Sequence, residues 1–320
     1  MSVKSWLLHN LRRAVGTQAI LDNLAAQGGW CANSSRTNGR AGKKSPLDLA
    51  AREKMEGLYQ RILDPAVDDA ALGFQRDQVP CLIDLNGDLL WVPADLLGFL
   101  WHTRVAAEPA LVLHFLAETP HYLWIRARLQ PGDVAVDCGA NMGLFTLMMA
   151  ERVTPGGSVH AFEPSPGSCR DLERVLRLNR PAAAVVVNAC AISDACGEAT
   201  FCDVLTTDVR REASHLSALG RIGFIGGPDH QVVVVPTTTL DAYVAERRIT
   251  PRLVKIDVEG AEFLVLEGAR QCLAACQPLL VIEIHPNEGG QFDHARLKKY
   301  LDQYGYKYAQ QDKTYYCEPR

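Results

Sequence analysis

The chain has no apolar run approaching the roughly 20 residues of a membrane-spanning helix, so no helical span is expected. Residues 1–26 have only a short apolar patch at Trp6-Leu7-Leu8, interrupted by His9, Arg12 and Arg13, and lack a signal-peptide core. The ten cysteines include no C-x-x-C pair, which removes the usual zinc and redox spacings. Cys138, Cys190 and Cys202 sit inside apolar runs and read as small core residues in a reducing compartment. A cytoplasmic protein is expected. Charge of one sign is also missing: 33 basic against 37 acidic residues give a net charge of −4, which offers no global attraction for nucleic acid.

What is present is a chain of 320 residues, enough for one large domain with an appendage. Residues 1–45 read as an amphipathic helix followed by a flexible basic linker. Residues 1–56 carry nine Lys or Arg against four acids, a solvated tail or a point of peripheral contact with an anionic membrane surface. Residues 46–129 read as an N-terminal cap, with a β-hairpin turning at Asn86-Gly87 and a helical pattern over 110–128. From residue 130 strands and helices alternate, which argues for a doubly wound α/β fold with a mostly parallel sheet. The third strand is expected over 184–192. Residues 194–244 interrupt the alternation with two β-rich stretches around a polar loop, an expected antiparallel insertion. After Leu253–Glu259 one amphipathic helix to Cys276 is expected, then a strand, a helix around 293–304 and a terminal hairpin.

The first strand of that core ends in Asp137-Cys-Gly139-Ala140-Asn141-Met-Gly143. A strand, a glycine turn and a helix start make a nucleotide-type cofactor site in such folds. A dinucleotide fingerprint wants G-x-G-x-x-G for close approach to a pyrophosphate, and Asn141 stands where its second glycine belongs. S-adenosylmethionine has no phosphate, and a wider turn can hold its amino-acid end. Asp137, Gly139, Ala140, Asn141 and Gly143 are therefore candidate cofactor contacts. The helix N-terminus suits the methionine carboxylate, and Asp137 suits the ammonium, directly or through water. Glu163 lies 24 residues after Gly139, at the end of the next strand, where an acid accepts hydrogen bonds from ribose hydroxyls. Ala191 and Ile192 are candidates for the adenine face.

Beyond these residues a longer series occurs in order. It comprises Val134-Ala-Val-Asp-Cys-Gly-Ala-Asn-Met-Gly143, Phe162-Glu-Pro-Ser-Pro166, Ala191-Ile-Ser-Asp194, Thr239-Leu-Asp241, Val254-Lys-Ile-Asp-Val-Glu-Gly-Ala-Glu262 and Ile282-Glu-Ile284. The series resembles the FkbM-type methyltransferases over roughly residues 80–310, with K-I-D-V-E-G-A-E its most specific part. The resemblance implies a class I methyltransferase fold with a final antiparallel strand. It also implies S-adenosylmethionine-dependent O-methylation of a carbohydrate, glycolipid or specialised metabolite.

The fourth and fifth core strands carry the candidate chemistry. Alternation puts Lys255, Asp257 and Glu259 on one face, and Glu283 and His285 on one face of the neighbour. Asp257, Glu259 or His285 could take the acceptor proton. Asp257, Glu283 and His285 could instead hold a divalent cation that lowers the acceptor's pKa. Asp257 also lies beside the cofactor edge, Lys255 reads as an ion-pair partner of Asp257 or another buried acid, and Glu262 as an exposed helix residue. His215, in the polar loop of the insertion, is a further candidate base. The rival readings are N-methylation, a nicotinamide-dependent oxidoreductase on the same fold, and a non-catalytic binding module that keeps the pocket.

Overall fold

A computed structural model of the chain describes residues 80–85, 88–93, 113–115, 119–204, 215–216, 230–286 and 290–320. It divides into two units, Met1–Ala117 and Glu118–Arg320. In the first, β1 (Pro80–Leu85) and β2 (Asp88–Pro93) pair antiparallel, with Leu85 opposite Asp88, on either side of the expected Asn-Gly turn. Strand β3 (Leu113–Phe115) runs parallel to β1. Residues 113–115 were expected to be helical, yet the helix α1 spans only Thr119–Arg128. Pro120 stands in the first turn of this helix, where its missing N–H costs no helix hydrogen bond.

The second unit begins with α1 and continues with β4 (Val134–Cys138), α2 (Leu144–Val153), β5 (Ser158–Phe162), α3 (Pro166–Asn179) and β6 (Ala184–Asn188). Then come β7 (Ala191–Ile192), β8 (Gly197–Val204), β9 (His215–Leu216), β10 (His230–Thr238) and α4 (Leu240–Arg247). The chain closes with β11 (Leu253–Ile256), α5 (Glu262–Glu267), α6 (Arg270–Ala275), β12 (Leu279–Glu283), α7 (His294–Gln303), β13 (Tyr306–Gln311) and β14 (Thr314–Pro319). Seven strands form the central sheet in the order β6-β5-β4-β11-β12-β14-β13. Strand β14 alone runs against the others, pairing antiparallel with β12 and β13. This is the doubly wound α/β sheet with a final antiparallel strand that the class I methyltransferase resemblance implies. The chain winds from β4 outward through β5 and β6, then returns to β11 and winds outward the other way. The switch point between β4 and β11 opens a crevice at their carboxyl ends, where ligands of such sheets bind.

Two differences from the sequence reading have local causes. The third core strand stops at Asn188, whose side-chain amide turns back to the carbonyls of Ala161 (3.1 Å) and Val186 (3.3 Å). Ala191–Ile192 belong to a second sheet, ordered β7-β10-β8-β9, in which β8 and β10 form the expected antiparallel ribbon. The single helix expected to Cys276 is two short ones. Between them Gly268 packs where a Cβ would collide with the Ser193 carbonyl, and Asp241 caps α6 by accepting from Gln271 N (2.9 Å) and Cys272 N (2.7 Å). No helix among the described residues is long and apolar enough to cross a membrane.

Candidate active site

The turn after β4 is set by close approaches that only glycine allows. Gly139 has φ +81, and a Cβ there would collide with the backbone carbonyl of Asp257, so the ends of β4 and β11 touch. The amides of Gly139 and Ala140 both donate to Phe162 O, at 2.9 and 3.0 Å, which ties the turn to the end of β5. Asn141 takes the left-handed conformation (φ 49), and Gly143 (φ 90) leads into α2 with no side-chain cap. Gly143 thus offers no side chain to cap the first N–H groups of α2.

Glu163 clamps this turn. Its Oε2 accepts from Asn141 N and its Oε1 from Ser165 N, each at 2.8 Å. Burial outweighs these two bonds and raises its pKa to about 7. Each oxygen keeps a further lone pair, so the carboxylate can still accept from a diol while holding the turn.

Asp137 is fully buried. Its Oδ2 accepts from Thr146 Oγ1 at 2.7 Å, while Oδ1 hydrogen-bonds to nothing and has the Lys255 ammonium 3.3 Å away, out of hydrogen-bond geometry. Lys255 also lies 3.4 Å from Asp257 Oδ2 and donates to Gly139 O at 3.3 Å. Lys255 pairs with Asp257, as the sequence suggests, and with Asp137 as well.

The ends of β11 and β12 bring four carboxylates around one imidazole. His285 Nδ1 meets Glu262 Oε1 at 2.8 Å; Nε2 lies 3.4 Å from Glu259, 3.5 Å from Glu283 and 3.9 Å from Asp257 Oδ1. Burial opposes charge on the ring, but Glu262, Glu283 and Glu259 outweigh it and hold the pKa up to about 10. At neutral pH the ring in this setting is an imidazolium and has no lone pair to take a proton. Glu283 is buried too, yet His121, His285 and Lys313 hold its carboxyl well below the usual range. His121, from α1, reaches Glu283 Oε2 at 3.4 Å and is itself fixed by Thr314 (3.1 Å) and Tyr316 (2.5 Å). Glu259 holds φ +53, an uncommon backbone state for a non-glycine residue and one that concentrates at functional sites.

The structure therefore brings Asp137, Gly139, Ala140, Asn141, Gly143 and Glu163 together on one side of the crevice, and Asp257, Glu259, Glu283 and His285 on the other. Ala191 and Ile192 are 5% and 3% exposed and pack in separate apolar clusters. His215 has its backbone paired with Cys202 in β9, while its side chain lies outside the described residues. Glu262 corrects the sequence reading: it is 2% exposed, accepts from Gly260 N at 2.8 Å and orients His285. Thr146, His121 and Lys313 were not legible as site residues, because each meets its carboxylate only through the tertiary fold.

Residues 137–308 match the family described as the methyltransferase FkbM domain, more than half of the chain. A 31-O-demethyl-FK506 methyltransferase FkbM from Streptomyces tacrolimicus is 32% identical over 188 residues, covering 52% of this chain and 71% of that protein. A methyltransferase sdnD from Sordaria araneosa is 29% identical over 164 residues, covering 44% and 62%. Among solved structures, methyltransferase FkbM from Methylobacillus flagellatus KT is 19% identical with a TM-score of 0.42; the match covers 59% of this chain and 44% of that one. The chain belongs to the FkbM family of S-adenosylmethionine-dependent methyltransferases.

Proposed function

We propose that this enzyme transfers the methyl group of S-adenosylmethionine to a hydroxyl of a carbohydrate, glycolipid or specialised metabolite. The observation that carries the reading is the convergence of Asp257, Glu259, Glu283 and His285 beside the glycine turn, at the switch point of the sheet. In the transfer a new O–CH3 bond forms as the S–CH3 bond breaks, and the sulfur keeps the electron pair. The hydroxyl proton needs an acceptor within reach of the reacting oxygen. Asp257 is assigned that role: it ends the strand nearest the turn, and Lys255 holds one of its oxygens while the other faces His285. His285, as imidazolium, positions Asp257 and Glu259 rather than acting as base. On the cofactor side, Glu163 accepts from the ribose hydroxyls, and the turn from Asp137 to Gly143 cradles the amino-acid end. The O-methylation named for the Streptomyces relative supports a hydroxyl acceptor over an amine. The acid-lined crevice and the net charge of −4 favour a small uncharged acceptor over nucleic acid.

With its Nε2 proton displaced, so that His285 regains a lone pair, the same cluster would also fit a divalent cation. One donor atom from each of Asp257, Glu283 and His285 lies within 4.8 Å of the others. Glu262 holds the opposite imidazole nitrogen, the way carboxylates orient metal-bound histidines. A cation there would polarise the acceptor hydroxyl and lower its pKa. The deciding experiment incubates the purified chain with labelled S-adenosylmethionine and matched panels of hydroxyl and amine acceptors, with and without EDTA. Methyl ether products alone support the reading, and their loss in EDTA with recovery on added Mg2+ supports the cation. Methylamine products would replace O- with N-methylation.

A further inference from the structure

The insertion reaches back to the cofactor side of the crevice through one buried contact. Alternation along β8 places Phe201 and Asp203 on the same face. Phe201 packs with Ala191, Val235 and Ala261, and Val258 lies against the same cluster, so the ribbon is seated against the loop that follows β11. Two residues further along, Asp203 Oδ1 accepts from Ser165 Oγ at 2.6 Å, between residues only 4% and 2% exposed. That length belongs to a charge-assisted O–H···O bond. Ser165 Oγ also accepts from Ser168 N at 3.1 Å, which caps α3, and Ser165 N donates to Glu163 Oε1 at 2.8 Å. Ser165 therefore stands between the carboxylate of the insertion and the carboxylate assigned to the ribose.

A buried acid on a strand is costly unless its charge is answered. Among the described residues Asp203 makes no ion pair, and Ser165 is its hydrogen-bond donor. Capping α3 needs only the serine hydroxyl, so the helix does not account for the acid. What the bond does is fix the Ser165 side chain, and with it the turn Glu163-Pro164-Ser165 whose amide holds Glu163. We propose that Asp203 is a positioning residue for cofactor binding, which acts through Ser165 to hold the Glu163 carboxylate in place for the ribose hydroxyls. The insertion then supports the cofactor site as well as the loop after β11. This rests on the ribose role already assigned to Glu163. The titratable groups that face Glu163 are Asp137 from β4, Asp203 from β8 and the Cys169 thiol of α3, which donates to Glu163 O at 2.9 Å. Burial raises the Glu163 pKa, and the negative charges of Asp137 and Asp203 raise it further.

The full chain is titrated calorimetrically with S-adenosylhomocysteine at pH 6, 7 and 8, with melting temperatures taken alongside. Asp203→Ala removes the acceptor and should weaken binding about tenfold at pH 8, where Glu163 is mostly ionised. Ser165→Ala should cost about as much, and the double variant no more than the larger single loss, because the two residues act in series. Asp203→Asn keeps an acceptor for Ser165 Oγ, so its affinity at pH 8 should stay within about threefold of wild type. The same variant removes a negative charge beside Glu163 and should move the midpoint of the pH dependence downward. A purely structural Asp203 would lower the melting temperature alone. Wild-type affinity in folded Asp203→Ala, or additive losses in the double variant, overturns the proposal. Where Asp203→Ala does not fold, Asp203→Asn decides, and an unmoved midpoint overturns it. Failure of the folded wild type to bind S-adenosylhomocysteine, or binding that ignores pH, would instead remove the cofactor or ribose assignment, and the proposal with it.

Discussion

Cofactor binding should release a proton near neutrality, and Glu163 should be its source. Burial lifts this carboxyl from 4.5 to about 7 despite its two backbone hydrogen bonds. In the cofactor-free protein it is therefore about half protonated at pH 7. A ribose whose hydroxyls donate to Glu163 selects the carboxylate form. If only that form binds, the apparent affinity for S-adenosylhomocysteine should fall about tenfold from pH 8 to pH 6, with little further gain above pH 8. Stability responds with the opposite sense. Because the folded-state pKa is raised, the native state holds a proton that the unfolded chain has lost between pH 4.5 and about 7. The corresponding contribution, about 3 kcal/mol, is complete below pH 4.5 and disappears as pH rises through 7. Calorimetric titrations at pH 6, 7 and 8, in buffers of different ionisation enthalpy, count the protons released. Glu163→Ala should abolish the pH dependence and weaken binding by about 1–3 kcal/mol, since it also unpairs the amides of Asn141 and Ser165. A flat affinity across this range, with no proton release in the wild type, would refute the ribose role.

Three further substitutions separate chemistry, turn and support. Asp257→Asn should lower turnover by about 100-fold or more while S-adenosylhomocysteine affinity stays within about threefold; equal losses in steady-state rate and calorimetric affinity would make Asp257 a structural or cofactor carboxylate. Gly139→Ala forces a Cβ into the Asp257 carbonyl at a positive φ, so it should lower the melting temperature and abolish cofactor binding together. Thr146→Val removes the donor to buried Asp137 Oδ2 and should destabilise the fold by about 1–3 kcal/mol in urea, with no shift in the acceptor's KM.

The sequence carried the glycine turn better than the carboxylate–histidine cluster, for a physical reason. The turn is local: glycines at 139 and 143 and an asparagine at 141 are backbone requirements that fall at fixed spacing, and positive φ at all three meets them. The strands that carry Asp257 and His285 were also legible, because buried parallel strands read as continuous apolar runs. What could not be read was partner choice. Glu262 lies on the first turn of α5 and looks like a solvated helix residue until β12 is laid beside it. His121 comes from a helix more than 100 residues earlier in the chain. The Thr239-Leu-Asp241 motif illustrates the converse. Its place in the series that resembles the family suggests a functional set, yet Thr239 caps α4 through Ala242 N at 3.0 Å and Asp241 caps α6. Helix ends, not ligands, occupy those side chains.

The charges around the crevice fit the direction of the proposed transfer. Asp137, Asp257, Glu259, Glu262 and Glu283 face Lys255, Lys313 and His285, five acidic side chains against three basic ones and so a formal excess of two negative charges. That excess attracts a sulfonium cofactor and favours it over the uncharged thioether left after transfer, which assists product release. It also disfavours an anionic acceptor, so a free alkoxide would be costly here. Proton loss must therefore accompany methyl transfer and cannot precede it, unless a divalent cation supplies the missing positive charge. The two routes differ in one observable. With a carboxylate base and no metal, turnover should follow the ionisation of the base and ignore EDTA; with a metal, EDTA should remove activity and leave S-adenosylhomocysteine affinity intact, because Glu163 and the glycine turn lie on the other side of the crevice.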